Sequence, residues 1–152
     1  KITTYRKLAE AATDKLCQFF PEAGGRWTKT AVLPGGDFDN HASLEQKLSH
    51  DCPWLSEKVV SRYVRTYGMT SYDILKDCGS MEDLGFHFAG TLYEREVLHL
   101  MKNEWALASE DILWRRTKQG LYATGSDVEV LDRFLMDTAI PETRKTALHH
   151  SA

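Results

Sequence analysis

Cysteine is scarce in this sequence and never closely paired: Cys17, Cys52 and Cys78 are the only three in 152 residues, with no CxxC spacing. An odd, scattered set argues against a disulfide scaffold and against a cysteine-rich zinc site, and it fits a reducing compartment. None of the three has a neighbouring base in the chain that would activate a thiolate. No apolar run approaches the ~18 residues that cross a bilayer, and no secretory leader pattern is present. A cytoplasmic location is expected. The six histidines form no HExxH or HxxEH arrangement. Glu96 and His99 do stand one helical turn apart, but a single such pair is more often a surface contact, and no metal is expected. Charge is nearly balanced, at 19 basic against 22 acidic residues and a net −3, which gives no ground for a polyanionic partner.

What is present is apolar and aromatic residue at helical spacing. The hydrophobic share is 42%, with four Trp, six Tyr and six Phe. A chain of this length suits one compact domain, or one domain with an appendage. Over Thr4 to Phe20, Tyr5, Leu8, Ala9, Ala12, Leu16, Phe19 and Phe20 fall on one helix face. Thr3 or Thr4 is placed to cap that helix, and Pro21 with Gly24-Gly25 ends it. Residues 21–40 are punctuated by Gly24, Gly25, Pro34, Gly35 and Gly36 and read as an extended linker.

Beyond the linker the spacing predicts helices in quick succession. One runs from a Ser43/Gln46 capping box to about His50, and another from Ser56 to Gly68 with Val59, Val60, Tyr63, Val64 and Tyr67 as its stripe. A short one covers Ser71 to Cys78. A longer one is capped by Thr91 and carries Tyr93, Val97, Leu100, Met101 and Trp105. A helix opened by Ser109 runs to Gly120, and the last opens at a Ser126/Glu129 capping box. No segment alternates convincingly as a strand. The expected fold class is all-α: a compact multi-helix domain preceded by an amphipathic helix and a linker, with short connections between neighbours.

Three stretches carry a resemblance. Lys1-Ile2-Thr3-Thr4-Tyr5-Arg6-Lys7-Leu8-Ala9-Glu10 is similar to the end of the flavin domain of FAD-dependent, aerobic glycerol-3-phosphate dehydrogenases. Leu33-Pro34-Gly35-Gly36 sits where that family crosses into its C-terminal cap domain. Glu104-Trp105, followed by Asp111-Ile112-Leu113-Trp114-Arg115-Arg116-Thr117-Lys118-Gln119-Gly120-Leu121, resembles the family's cap signature. Order and spacing match to about residue 138. The Gly-rich dinucleotide fingerprint of the family is absent. The resemblance therefore implies a division into 1–20, the terminal helix of a missing N-terminal FAD domain; 21–40, linker; 41–140, helical cap; and 141–152, a frayed tail.

The resemblance also implies site residues. Lys1 matches a family lysine near the flavin and the substrate, where a fixed cation stabilises the reduced ring and attracts a phosphate. Ile2, Thr3 and Thr4 open a helix whose free N–H groups suit a partial negative charge on the flavin. A solvated Lys1 and an ordinary threonine cap are the plain alternatives. Arg115 and Arg116 are candidates for docking between domains through ion pairs, with internal salt bridges equally open. Nucleic acid is not expected at this basic stretch, since no basic stripe continues elsewhere. The amphipathic segment Tyr5 to Phe20 has three readings: packing on the flavin domain, lying on a membrane surface through Arg6, Lys7 and Lys15, or acting as a core helix. Left uncovered, its face favours a homodimer. The intact protein would oxidise glycerol 3-phosphate to dihydroxyacetone phosphate with FAD as cofactor and pass electrons to quinone at the respiratory membrane. A glycerol-3-phosphate oxidase using oxygen and a free-standing helical interaction module are the rival readings.

Overall fold

The computed structural model describes residues 2–138, so Lys1 and the expected tail over 141–152 lie outside the described residues. A 3-10 turn, Ile2–Thr4, leads into α1, Tyr5–Cys17. Thr4 precedes α1 with φ −113° and makes no side-chain cap bond, contrary to the cap expected there. None of α1 is buried. Tyr5, Leu8, Leu16 and Phe19 stay exposed, so α1 is not a core helix of this chain. What holds it is polar: Arg6 pairs with Glu10 at 2.8 Å, Thr28 donates to Glu10 at 2.5 Å, and Arg26 pairs with Asp14.

The helical body begins where the linker meets it. Asn40 caps α2, His41–Asp51, by accepting from the Ser43 N–H at 3.0 Å. The Ser43/Gln46 box expected from sequence yields to Asn40, whose extended backbone places its side chain over the first turn. Helix α3, Glu57–Tyr67, buries Val59, Val60, Tyr63 and Val64 on the stripe read from its spacing. Helix α4, Ser71–Ile74, stops well short of Cys78; Asp77 takes a left-handed φ of 62° that no helix continues through. These helices share a first core with Leu44, Leu48, Leu55, Leu75 and Leu84.

A second core follows. A two-stranded antiparallel hairpin, β1 (His87–Ala89) with β2 (Leu92–Tyr93), pairs His87 with Tyr93 and Ala89 with Leu92 across an irregular register. Strands of three and two residues are too short for alternation to show, which is why no strand was expected. The hairpin turn holds Gly90 at φ 56° and takes up Thr91, so α5, Glu94–Asn103, starts after Tyr93 rather than at Thr91. The helix expected over 109–120 is a π-helix, Asp111–Arg116, closed by the Thr117 N–H on the Ile112 carbonyl at 3.0 Å, then a 3-10 turn, Gln119–Leu121. Helix α6, Gly125–Thr138, opens on a reciprocal box two residues before the expected one. Asp127 accepts from the Thr124 N–H at 2.8 Å, and the Thr124 hydroxyl accepts from the Asp127 N–H at 3.3 Å. Phe88, Leu92, Val97, Leu100, Ala106, Ile112, Leu131 and Leu135 fill this core. Tyr67 packs against both cores and joins them.

Candidate functional site

The most heavily organised polar group in the protein ties α3 to α5 and the hairpin. Glu96 is fully buried, at 0% exposure. A buried carboxylate needs a partner for each oxygen. Arg62 supplies a two-pronged match, Nη1 to Oε1 at 2.6 Å and Nη2 to Oε2 at 2.5 Å, and the Tyr67 hydroxyl donates to Oε1 at 2.5 Å. The rest of the guanidinium donates to Thr91, from Nε to Oγ1 and from Nη2 to the carbonyl, both at 2.6 Å. Gln119 closes the network by accepting from the Thr91 N–H at 2.8 Å. Burial works against the charge on Arg62, but the hydrogen bonds and charge of Glu96 outweigh it and hold the guanidinium firmly protonated. Burial and the Glu96 charge both push the Tyr67 hydroxyl far above the usual phenol range, so it keeps the proton that it donates to Glu96. Both Glu96 oxygens and all three Arg62 nitrogens have partners within the protein, so the arrangement is structural. The Glu96/His99 spacing suggests a surface contact at most; Glu96 is instead buried, with its oxygens committed to Arg62 and Tyr67. Among the described residues no group of three or more His, Cys, Asp or Glu side chains could hold a metal ion.

The cap-signature arginines lie where the π-helix turns out to solvent. Arg115 pairs with Asp111 at 2.8 Å and with Glu110 at 3.0 Å. Arg116 donates from Nη2 to the Glu104 carbonyl at 2.6 Å and stands 3.8 Å from Asp111. Both therefore have partners inside this chain. Asp111 also accepts from the N–H groups of Leu107 and Ala108, and these bonds, led by Leu107, hold its carboxyl below the usual range. Together Arg116 and Asp111 brace both ends of the 104–107 loop. That loop carries Trp105 in a left-handed conformation, φ 54°, with its side chain 84% exposed, next to the fully buried Ala106 and the equally exposed Leu107. An L residue with a bulky side chain takes such a backbone only when its surroundings hold it there. The spacing puts Trp105 on the apolar stripe of α5, but α5 ends at Asn103 and the indole stands exposed in the loop that Arg116 braces.

The other candidates are more dispersed. Thr3 and Thr4 are exposed at the start of α1. The three cysteines are free, and burial pushes the Cys52 thiol up, away from nucleophilic duty. No helix of the described residues is long and apolar enough to cross a membrane.

The sequence of residues 26–139 matches the family described as the C-terminal domain of alpha-glycerophosphate oxidase. The chain belongs to this family. Relatives of the C-terminal domain family are longer proteins. A glycerol-3-phosphate dehydrogenase of Pseudomonas aeruginosa is 43% identical over 136 residues, which is 89% of this chain and 27% of that protein. The aerobic glycerol-3-phosphate dehydrogenase of Escherichia coli is 40% identical over 141 residues, 90% of this chain and 28% of that protein. A D-erythritol 1-phosphate dehydrogenase of Brucella abortus is 41% identical over 129 residues, 84% of this chain and 26% of that protein. The chain thus spans little more than a quarter of the relatives it matches. The Glu104-to-Leu121 stretch, Gly35 and Gly36 of the linker, and the mostly helical body fall inside the matched family region, while Gly24 and Gly25 precede it.

Proposed function

We propose that this chain is the helical cap of an FAD-dependent polyol-phosphate dehydrogenase, with glycerol 3-phosphate as substrate and dihydroxyacetone phosphate as product. The observation that carries this is the family match over residues 26–139 together with relatives named for that activity, of which the chain covers about a quarter. On this reading residues 1–20 close the flavin domain, 21–40 link it to the cap, and 41–140 form the cap. The exposed apolar face of α1 then packs on the flavin domain. Trp105 and Leu107 are the apolar anchors of the cap against its neighbour, and Arg115 and Arg116 form the charged rim. Electrons leave through quinone, and the intact protein sits on the respiratory membrane surface.

The described residues do not make a flavin site by themselves: the sequence has no Gly-rich cradle, and Ile2–Thr4 form one short turn in which Thr3 and Thr4 are exposed. FAD would supply hydride acceptance when bound to the rest of the protein. The part proposed for this chain is a positive charge from Lys1 near the substrate phosphate, beside a shield of helices over the entrance. Removing one preorganised charge of this kind costs roughly 10²–10³ in turnover. In the intact protein, Lys1→Ala is expected to lose that much glycerol 3-phosphate oxidation while keeping its flavin absorbance, and Lys1→Arg to recover part of the loss. An intact protein that binds no flavin, or whose flavin is not bleached by glycerol 3-phosphate, would sink the reading.

A second reading has its own support, because the family description names an oxidase. Oxygen would then replace quinone. Stoichiometric peroxide during turnover selects it; quinone-dependent turnover without peroxide selects the dehydrogenase.

A further inference from the structure

On the outer side of the arginine–glutamate network, one surface carries cations that no carboxylate in its lining offsets. Lys58, Arg62 and Arg65 stand at i, i+4 and i+7 on α3, along one side of one helix. With Lys118 they line a cleft of about 780 Å³ that no carboxylate lines. Glu96 already neutralises Arg62. Among the described residues, Lys58 and Arg65 form no ion pair. Lys118 is held at a left-handed φ of 59° by its place between the π-helix and the next turn. Its ammonium donates to the Trp114 carbonyl and keeps two further N–H donors. Like charges along one side of a helix repel, so a cationic stripe here works against stability unless an anion visits it. Backbone strain at a polar position next to such a cleft is the pattern of a ligand clamp.

The chemistry narrows the ligand. Three uncompensated cations converge on one cleft, and Thr66 adds a hydroxyl to its lining. A guanidinium with two ammonium groups matches a compact, multiply charged oxyanion better than a single carboxylate. Leu121 and Tyr122 line the same cleft and are exposed, giving an apolar edge for the carbon portion of a ligand. No basic stripe leads away from it, as an extended polyanion would need. We propose that Lys58, Arg65, Thr66 and Lys118 form a binding site for a phosphate dianion or for the phosphoryl head of a phosphomonoester. This site belongs to the cap itself and does not depend on which reaction the intact protein performs.

The test is a solution titration of the 152-residue chain, isotope-labelled for amide NMR, with inorganic phosphate and separately with glycerol 3-phosphate. Sodium chloride at matched ionic strength provides the baseline. Saturable shifts confined to amides around Thr66, Thr91, Lys118 and Gln119 are expected with both ligands. The Arg65→Gln/Lys118→Gln double variant, altered only at exposed side chains, should keep its circular dichroism and bind roughly tenfold more weakly or worse. Equal affinities for the two ligands assign recognition to the phosphoryl group alone; tighter glycerol 3-phosphate binding adds Leu121 and Tyr122 as contacts to the carbon chain. Shifts that never saturate, shifts that chloride reproduces, or an unchanged affinity in the double variant would each overturn the proposal.

Discussion

Gly35 and Gly68 meet backbone to backbone, with the Gly35 carbonyl accepting from the Met69 N–H at 2.9 Å and both glycines at positive φ, 78° and 55°. A Cβ on Gly35 would sit 2.1 Å from the Tyr67 carbonyl oxygen, and one on Gly68 would sit 2.1 Å from the Gly35 carbonyl oxygen. The linker is thus fastened to the end of α3 at a point where neither partner tolerates a side chain. Gly35→Ala and Gly68→Ala should each cost ~2–4 kcal/mol, from the left-handed backbone and the overlap together. Gly24 and Gly25, with nothing within 4 Å of a built Cβ, should tolerate alanine almost without loss. Urea denaturation of the four variants measures this, and equal losses at all four would contradict the fastening.

The Arg62–Glu96 pair sets a second expectation. Arg62→Met strands a fully buried carboxylate and should cost ~3–5 kcal/mol. Adding Glu96→Gln removes that charge, so the double variant should be more stable than Arg62→Met alone. A double-mutant cycle decides the matter; strictly additive losses would mean that the two groups do not act as a pair.

Arg115 and Arg116 should separate when tested in this chain. Arg115 pairs at the surface, with its side chain 53% exposed, and Arg115→Ala should change stability by no more than ~1 kcal/mol. Arg116→Ala frees the Glu104 carbonyl and loosens the loop holding Trp105, so the fluorescence of that indole should shift and its quenching rise. If docking between domains is their further role, both losses grow in the intact protein. Equal effects in the two settings would confine the arginines to internal pairing.

Acid should lower the stability of the protein over two pH ranges whose signs agree. Burial lowers the pKa of His99 despite the raising pull of Glu104, Asp73 and Glu96. The unfolded chain therefore takes up its proton first, and stability begins to fall as pH drops through about 6.5. Asp83 is held low chiefly by the Gly79 N–H, Asp111 by the Leu107 N–H and Asp127 by the Thr124 N–H. Their contribution is complete above about pH 4 and is lost as pH falls through the depressed folded values. Thermal midpoints across pH should show a shallow decline and then a steep one. Asp111→Asn should flatten the steep part; an unchanged acid limb in that variant would refute the assignment.

Much of this architecture was legible because helical spacing is local and repeats over many residues. The α3 stripe of Val59, Val60, Tyr63 and Val64 repeats often enough to fix both the helix and its buried face. The hairpin was invisible because two residues in β2 cannot display a period. Capping boxes were found near the right places but on the wrong residues. Asn40 outcompetes Ser43, and Thr124 outcompetes Ser126, through backbone geometry that composition does not reveal. The polar network escaped because Arg62, Thr91, Glu96 and Gln119 lie up to 57 positions apart and converge only through packing. Lys58, Arg62 and Arg65 were readable as a cationic stripe, but the apolar residues between them dominated the reading of that helix.

Tyr67 has a mechanical consequence. Its ring is shared by both cores and its hydroxyl ends on Glu96, so neither half can open without exposing a surface of the other. Such a shared element merges two small folding units into one cooperative transition. Amide exchange in α2 and in α6, far apart along the chain, should then report the same opening free energy, and the 3.6-residue repeats on either side of Tyr67 melt as a single body.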